Sequence, residues 1–322
     1  MPLQIIRHDI SKVKADAIVN TANPEVAVGA GVDEAIYKAA GFGELLAERK
    51  KIGRMEPGQA AVTPAFALDA KYIIHTVGPA WIDGNHGERE AVASCYRESL
   101  KLAEEKDCES IAFPLISTGT YGFPKDDALK IAISEISSFL FEHDMTVYMV
   151  VYDKESFVLS GKAFQGVRTY IEEKDVRPAA GGAMATEMVE APVAASYQRY
   201  EETLGEAARR RAETFQEMLF RHIDRKGYTD PEVYKRANLD RKLFSKIRSN
   251  KDYLPSKRTV LALAIGLRLN LDETMDLLLR AGYALSPSIV FDNIVTYCIQ
   301  HKIYDIYEVN TYLFNYTEQC LA

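Results

Sequence analysis

The chain has 322 residues, of which 47% are hydrophobic and 26% are charged, and its formal net charge is −7. This length favours about two domains, and the composition excludes a collagen-like repeat, a disulfide-stapled miniprotein and a largely disordered chain. No apolar run approaches the roughly 18 residues that a membrane span needs, and the polar start MPLQIIRHDI is not typical of a signal peptide. We therefore expect a cytoplasmic protein with no membrane partner. Its four cysteines are far apart and predict buried thiols rather than a zinc cluster.

The first half alternates short apolar runs with amphipathic stretches. The runs are rich in Val, Ile and aromatic residues and predict strands at 3–6, 17–20, 60–66, 72–78, 110–116 and 146–152. Apolar residues at helical spacing predict helices between them at 32–39, 91–102 and 129–140. This alternation predicts an α/β fold with a mixed, mostly parallel sheet that is covered by helices on both faces.

The loop after the second strand carries the first candidate site residues. Asn20 and Asn23 end that strand, at the edge where open α/β sheets place ligands. Gly29 and Gly31 lack side chains, so backbone N–H groups can approach a phosphate near the start of the next helix. Asp33 falls on the first turn of that helix. The alternative is that the asparagines form turns and that Asp33 only complements the helix dipole.

A second loop, after the fifth strand, has the same architecture. The segment ISTGTYGFP at 116–124 joins an apolar strand to a helix through small residues, which suit close approach to a diphosphate. An aromatic residue at its rim suits a sugar or a base. An ordinary strand-to-helix turn is the alternative for this loop alone. Two such loops at one edge of a sheet together predict a nucleotide diphosphate ligand.

Five motifs follow one another in the first half: RHDISKVKADAIVNTANP, GVDEAIYKAAG, YIIHTVGP, FPLISTGTYGFP and VVYDKESF. In order and spacing they resemble the macro domain family, close to its bacterial-type branch of O-acetyl-ADP-ribose deacetylases and mono-ADP-ribosyl hydrolases. The resemblance implies a three-layer α/β/α domain that binds ADP-ribose. We place this macro domain at residues 1–174.

The resemblance also implies roles for individual residues. Asp9, with Ile10 beside it, matches the acid that hydrogen-bonds the adenine amino group, and Asn23, in the motif that Asn20 begins, matches the asparagine that holds the distal ribose. Asp33 matches the aspartate that orients or deprotonates the attacking water, so the implied catalytic residues are Asp33 and Asn23. The other implied ligand contacts are the two loops and an aromatic near adenine: Gly29, Ala30, Gly31, Val32, Ser117, Thr118, Gly119, Thr120, Tyr121, Gly122, Phe123 and Tyr152, with Phe157 as a weaker candidate.

The sequence also departs from the family pattern. Val28 and Ala30 interrupt a run that is usually glycine in hydrolytic relatives, and extra methyl groups there can crowd the distal ribose or move the water. Glu34 replaces a usual glycine, Tyr37 a usual histidine and Phe123 a usual tyrosine. These departures leave two functions open: a hydrolase, or a reader that binds ADP-ribose without cleaving anything.

The expected activity is metal-independent removal of mono-ADP-ribose from modified macromolecules, or deacetylation of O-acetyl-ADP-ribose. The alternative is a non-catalytic sensor of ADP-ribose coupled to a regulatory second half. No cofactor is expected, since ADP-ribose would be ligand or product. None of the six histidines has cysteine or carboxylate neighbours at metal-ligand spacing, so no metal is expected. His75, inside a strand, is interpreted as a structural histidine.

The composition changes after the first half. Residues 175–196 contain prolines, a Gly-Gly pair and many alanines without a period, which predicts a linker. Residues 197–322 then form an all-helical domain. Helices are predicted at 206–225, 230–237, 240–250, 256–269 and 272–281. The aromatic-rich end at 289–322 is expected to close the domain core or to form a homodimer contact.

One segment of the helical half is basic although the whole chain is acidic. Residues 197–258 carry 16 Lys and Arg against 10 Asp and Glu. The segments GYTDPEVYKRANLDRKLFSKIRSN and PSKRTVLALAIGLRLNLDETMDLLLRAGYALS resemble the helix-turn-helix domain of phage repressors, over about residues 210–288, which implies a DNA partner. The candidate phosphate contacts are Lys242, Lys246, Arg248 and Lys257. The alternatives are a solvated basic helix on a protein-binding module and a transcriptional regulator that joins both functions.

Overall fold

A computed structural model describes residues 2–152, 166–171, 213–251 and 253–321. The linker predicted at 175–196 and the candidate Phe157 lie outside these residues, as do residues 206–212 of the first predicted C-terminal helix. Among the residues described, no helix is both long enough and apolar enough to cross a membrane.

The first half contains a six-stranded sheet in the spatial order β1-β6-β5-β2-β4-β3. The strands are β1 (Leu3–Arg7), β2 (Ala17–Thr21), β3 (Ala60–Pro64), β4 (Tyr72–Thr76), β5 (Ser110–Pro114) and β6 (Thr146–Val151). Only the β3–β4 pair is antiparallel within this sheet, so the mostly parallel arrangement is confirmed. All six strands predicted from the apolar runs are confirmed, with ends that differ by a few residues.

Helices cover both faces of the sheet, which confirms the three-layer architecture. The helices of this half are α1 (Val32–Ala40), α2 (Phe42–Ile52), α3 (Glu88–Glu105) and α4 (Lys125–Glu142). Successive residues of a strand point to opposite faces, so Ile18 packs in the apolar cluster of α1 and α2 while Val19 packs in that of α3 and α4. The sequence analysis did not predict α2. Gly41, with a φ of 105°, ends α1 and also precedes α2, so a single non-helical residue connects the two helices.

The connections after β2 and β5 meet at one edge of the sheet. These two strands are parallel neighbours, so their carboxyl ends lie side by side. The segment between β2 and α1 and the segment between β5 and α4 therefore face each other, and β6 ends beside them at Val151. This edge is the expected location for a ligand.

The second half is all-helical within the described residues. Its helices are α5 (Phe215–Lys226), α6 (Asp230–Arg236), α7 (Arg241–Ser249), α8 (Lys257–Gly266), α9 (Leu271–Arg280), α10 (Val290–Gln300) and α11 (Ile306–Thr317). Side chains of Thr214, Thr229, Asp240, Ser256 and Asn270 cap α5 to α9 at their first turns. The expected helical character of this half is confirmed.

The helical half packs against β1, which is an edge strand of the sheet. The buried side chain of Asn238 accepts from the Leu3 N–H at 3.0 Å and donates to the Leu3 carbonyl at 2.8 Å. At the other end of the strand, Arg7 and Glu318 form an ion pair at 2.8 Å. Asn238 thus supplies one donor and one acceptor to the open edge of the sheet, as a neighbouring strand would.

Candidate ligand-binding and catalytic site

A cleft of about 590 Å³ lies at the carboxyl ends of β2, β5 and β6. It is lined by residues of the two predicted loops, the end of β6 and a few neighbours: Thr21, Ala22, Asn23, Gly29, Ala30, Gly31, Val32, Asp33, Gly78, Pro114, Leu115, Ser117, Thr118, Gly119, Thr120, Tyr121, Lys125, Val150, Val151 and Tyr152. The cleft therefore brings together most of the residues that the sequence analysis proposed as ligand contacts. Their contact with a ligand stays a prediction.

Asp33 is held in one orientation by a hydrogen bond to each carboxylate oxygen. The Asn20 side-chain amide donates to Oδ1 at 2.6 Å, and the Gly29 backbone N–H donates to Oδ2 at 2.6 Å. Asp33 is only 3% exposed although it lines the cleft. Asn20, at the end of β2, and Gly29, in the loop that follows, therefore both bind the Asp33 carboxylate. Asp33 thus has a role beyond a favourable interaction with the dipole of α1.

The burial of Asp33 raises the pKa of its carboxyl group above the ordinary value of 3.8. The hydrogen bonds from Asn20 and Gly29 and the positive charge of Arg49 oppose this shift. The result is a fixed carboxylate whose basicity exceeds that of an exposed aspartate. A general base gains efficiency as its pKa approaches the working pH, so this environment suits proton abstraction.

The second loop holds a buried hydroxyl group without a partner beside the cleft. Ser117 has a left-handed backbone, with a φ of 63°, and is 8% exposed. Its Oγ is buried and has no hydrogen-bond partner among the described residues. A strained non-glycine residue with an unsatisfied hydroxyl is typical of a site whose partner is a ligand.

The loop is shaped by its own backbone and by a glycine behind it. The Phe123 N–H donates to the Ser117 carbonyl at 3.0 Å, and the Gly122 N–H donates to the Gly119 carbonyl at 2.9 Å. Gly78, at the end of the β4 segment, lies against Ser117 so closely that a Cβ there would be 2.1 Å from Ser117 Oγ. The loop therefore requires glycine at position 78, which the sequence analysis did not identify.

Two helices begin at the cleft without a side-chain cap. Gly31, with a φ of 76°, precedes α1, and Pro124 precedes α4, and neither helix has a side-chain hydrogen bond at its N-cap. Uncapped first-turn N–H groups and the positive ends of the helix dipoles favour an anion. Lys125, on the first turn of α4, also lines the cleft and adds a positive charge. Lys125 escaped the sequence analysis because one lysine after a proline carries no motif.

A buried arginine forms hydrogen bonds to the backbone of the loop that carries Asn23. Arg49 of α2 is 2% exposed, and its guanidinium donates to the carbonyls of Gly53 and, at 3.3 Å, of Asn23. Asn23 itself turns its Oδ1 to the Glu25 N–H at 3.0 Å, so the turn alternative holds for this residue while its side chain still lines the cleft. Nothing in the sequence distinguishes Arg49 from the two lysines that follow it.

Several predicted contacts do not line the cleft. Asp9 caps a short 3₁₀ turn, where it accepts from the Ser11 N–H at 3.0 Å and the Ser11 hydroxyl at 2.7 Å, and its neighbour Ile10 is buried. Asn20 lies behind Asp33. Gly122 forms part of the turn within its loop. Phe123 is 1% exposed because its ring packs edge-on against Trp81, with 4.8 Å between the two ring centroids.

The alanine and valine that interrupt the glycine run lie in different surroundings. Ala30 is exposed and lines the cleft, so its methyl group faces the space where a ligand would lie. Val28 is half-buried and packs with α1 and α2 in their apolar cluster. Only Ala30 is therefore positioned to crowd a ligand.

One histidine does lie close to carboxylates, contrary to the expectation from spacing. Ligand atoms of Asp83, His86 and Glu88 lie within 4.8 Å of one another. Glu88, however, accepts backbone hydrogen bonds from residues 82, 83, 84 and 86, and these bonds outweigh its burial and lower its pKa to about 2. The cluster therefore has an evident role in closing this loop, and we assign it no metal.

Comparison with known proteins identifies the first half of the chain. The family model "Macro domain" matches residues 19–132. A macro domain-containing protein of Methanosarcina mazei is 49% identical over 156 residues, which cover 48% of this chain and 83% of that protein. An O-acetyl-ADP-ribose deacetylase of Salmonella newport is 46% identical over 159 residues, 48% of this chain and 89% of the deacetylase. The solved Oceanobacillus iheyensis macrodomain with ADP is 36% identical with a TM-score of 0.46, over 53% of this chain and 92% of that one. The chain belongs, through its first half, to the macro domain family.

Proposed function

We propose that this protein binds ADP-ribose in the cleft and hydrolyses an ester of its distal ribose, either the acetyl ester of O-acetyl-ADP-ribose or the linkage to a mono-ADP-ribosylated macromolecule. The observation that carries the proposal is the Asp33 carboxylate, which is buried in the cleft and fixed by Asn20 and Gly29. The name of the Salmonella relative, 46% identical, supports the same chemistry.

Each part of the cleft has a place in this proposal. The uncapped starts of α1 and α4, with Lys125, would hold the diphosphate, and Ser117 Oγ would donate to one of its oxygens. Tyr152, which is 75% exposed at the rim, would stack on the adenine, with Asp9 nearby at the end of β1. Asn23 would hold the distal ribose. No metal is required in this scheme.

The proposed chemical step needs only water and Asp33. The carboxylate accepts a proton from a water molecule as the water oxygen bonds to the ester carbonyl carbon. The bond from that carbon to the ribose oxygen then breaks, Asp33 returns the proton to the ribose oxygen, which leaves as a hydroxyl group, and the acyl group is released as a carboxylic acid. The raised pKa of Asp33 makes it a stronger base for this transfer.

Single-turnover hydrolysis of both substrates by the full chain tests the proposal. Asp33→Ala is expected to lower the rate by at least about 100-fold while calorimetry still detects ADP-ribose binding. Glu34→Ala is the matched control, because it removes an exposed acid from the adjacent position of α1. A wild type that binds ADP-ribose but releases nothing from either substrate would refute hydrolysis. The protein would then be a reader of ADP-ribose, and crowding of the ligand or the water by the Ala30 methyl group would explain the lost hydrolysis.

For the helical half we propose a helix-turn-helix-like DNA contact through α7. The helix follows α6 after residues 237–240, buries Phe244 and Ile247, and leaves Lys242 and Lys246 exposed. The other two candidates are engaged within the chain: Arg248 pairs with Asp230, and Lys257 pairs with the buried Asp292, at 2.5 and 2.6 Å. Lys246 lies over the ring of Tyr253 at 4.2 Å, so Lys242 is the strongest of the four candidates and Lys246 the next.

Fluorescence anisotropy with duplex DNA at several salt concentrations tests this contact. Lys242→Glu and Lys246→Glu are each expected to weaken binding and to reduce the salt slope by about 1. Lys50→Glu is the matched control, because Lys50 is an exposed lysine of α2 in the first half. Wild type that does not bind DNA at low salt would leave the protein-binding alternative, for which the partner would be a protein or a second copy of the chain.

A further inference from the structure

Three buried side chains form a hydrogen-bonded row that ends at the Asp33 carboxylate. Thr63 Oγ1 lies 3.0 Å from His75 Nε2, His75 Nδ1 lies 3.1 Å from Asn20 Nδ2, and Asn20 Nδ2 lies 2.6 Å from Asp33 Oδ1. All four residues are at most 4% exposed. Since water is excluded, these groups depend on one another for their hydrogen bonds.

The positions of the protons follow from the donor and acceptor capacity of each group. The Asn20 amide nitrogen carries two hydrogens and faces two groups, Asp33 and His75. His75 Nδ1 must then accept, so the imidazole is neutral and carries its proton on Nε2, where Thr63 Oγ1 accepts it. Burial lowers the pKa of His75 to about 3, which keeps the ring neutral at physiological pH.

Asp33 and the neutral histidine together favour one orientation of the amide. With the amide reversed, Asn20 Oδ1 would face the Asp33 carboxylate, which is repulsive, and would face the Nδ1 lone pair as well unless the ring proton moved to Nδ1. In the observed orientation Oδ1 has no hydrogen-bond partner among the described residues. The orientation of Asn20 is therefore set entirely by its nitrogen, through His75 and Asp33.

We propose that His75 is a positioning residue that holds the Asn20 amide as a donor to Asp33, and that Thr63 holds the His75 ring in place through Nε2. This inference rests on the proposed function, in which Asp33 is the general base. Without the acceptor at Nδ1, only Asp33 still holds the amide in this orientation, and the donor to the ionised carboxylate is less firmly placed. The other titratable groups that act on Asp33 are Arg49 and Tyr37, and the variants below leave both unchanged.

The pH profile of single-turnover hydrolysis by the full chain tests the inference. His75→Leu is expected to shift the acidic limb to higher pH and to lower the rate at neutral pH by about 10-fold or more, while the Kd for ADP-ribose changes by less than about threefold. His75→Asn, which keeps a polar group near the position of Nδ1, should restore part of the rate. Ile74→Val is the matched control, because Ile74 is buried on the same strand but packs on the opposite face. It should lower Tm without moving the pH profile.

Nuclear magnetic resonance tests the row without reference to turnover. In the wild type, the imidazole ¹⁵N signals of His75 should show a protonated Nε2 and an unprotonated Nδ1. The Asp33 carboxyl ¹³C signal should titrate at higher pH in His75→Leu, or in Thr63→Val with a smaller shift if the leucine variant does not fold. A protonated Nδ1, or an Asp33 titration that neither substitution moves, would overturn the inference. An inactive wild type with these signals as expected would overturn only the proposed function.

Discussion

Replacing Gly78 with alanine is expected to displace the second loop of the cleft. A Cβ at this position would lie 2.1 Å from Ser117 Oγ and 2.8 Å from Ile116 Cγ2, and both separations are too short to persist. Ile116 is fully buried, and Ser117 already has a left-handed backbone. Ser117 Oγ, which has no hydrogen-bond partner among the described residues, could rotate away, but the buried Ile116 side chain has little room to move, so the backbone of the loop must take up the remaining strain.

The expected cost appears in both stability and binding. Overpacking of this kind lowers the free energy of unfolding by about 1–3 kcal/mol. If the loop that faces the diphosphate moves by about 1 Å, we expect the affinity for ADP-ribose to fall by about 10- to 100-fold, or about 1.4–2.8 kcal/mol. Urea unfolding measures the first quantity, and calorimetric titration with ADP-ribose measures the second.

Two further variants show whether the clash is the cause. In Gly78→Ala combined with Ser117→Ala, the nearest clashing atom is gone, so the two substitutions should cost less together than the sum of their separate effects. Gly43→Ala is the control: its Cβ would have no neighbour within 4 Å, and helix propensity predicts slightly higher stability with unchanged affinity. Wild-type affinity and stability in Gly78→Ala would refute the reasoning.

Three more predictions concern packing and pH. Asn238→Gly, which tolerates the φ of 52° but removes both hydrogen bonds to Leu3, should lower the free energy of unfolding by about 2–4 kcal/mol in urea, with unchanged affinity for ADP-ribose. Gly266→Ala, whose Cβ would lie 2.9 Å from the Ala237 nitrogen, should cost about 1–3 kcal/mol in thermal unfolding, and an unchanged Tm would contradict it. The raised pKa of Asp33 means that the folded chain binds its proton more tightly than the unfolded chain, so its contribution to stability is present below pH 3.8 and is lost as pH rises through the folded pKa. Wild type should therefore lose stability relative to Asp33→Ala as pH rises from 3.8 through the folded pKa of Asp33, and a constant difference would show that the shift is absent.

The strands and the two cleft loops could be predicted from the sequence because their signals are local. An apolar run of five to seven residues indicates a buried strand wherever that strand lies in the sheet. Glycines between a strand and a helix indicate close backbone approach, and Gly29 and Gly31 do lie in the cleft. The Phe123 prediction shows the limit of this approach. Its place in the motif follows from the sequence, but its burial against Trp81 depends on a residue 42 positions earlier in the chain.

The contacts that the sequence analysis missed join lateral neighbours in the sheet. Asn20 and His75 are 55 residues apart and face each other only because β2 pairs with β4 in that register. Thr63 reaches His75 because β3 pairs with β4 on the other side. Strand order is not encoded in any single strand, so a histidine in an apolar run is interpreted as structural until its neighbours are known. The sequence analysis also missed the hydrogen bond from Arg49 to the Asn23 carbonyl, because Arg49 lies on α2 and is distant from Asn23 in the sequence.

The positions of the cleft and of the helical half in the sheet explain why stability and ligand affinity should respond to different substitutions. The helical half packs on β1, whereas the cleft is built on the ends of β2, β5 and β6. One link between them runs from the Arg7–Glu318 ion pair through the His8 N–H, which donates to the Val151 carbonyl at 3.0 Å, to the cleft. Asn238 contacts the opposite end of β1, far from that link. Loss of its hydrogen bonds should therefore weaken the attachment of the helical half without moving the residues that bind the ligand.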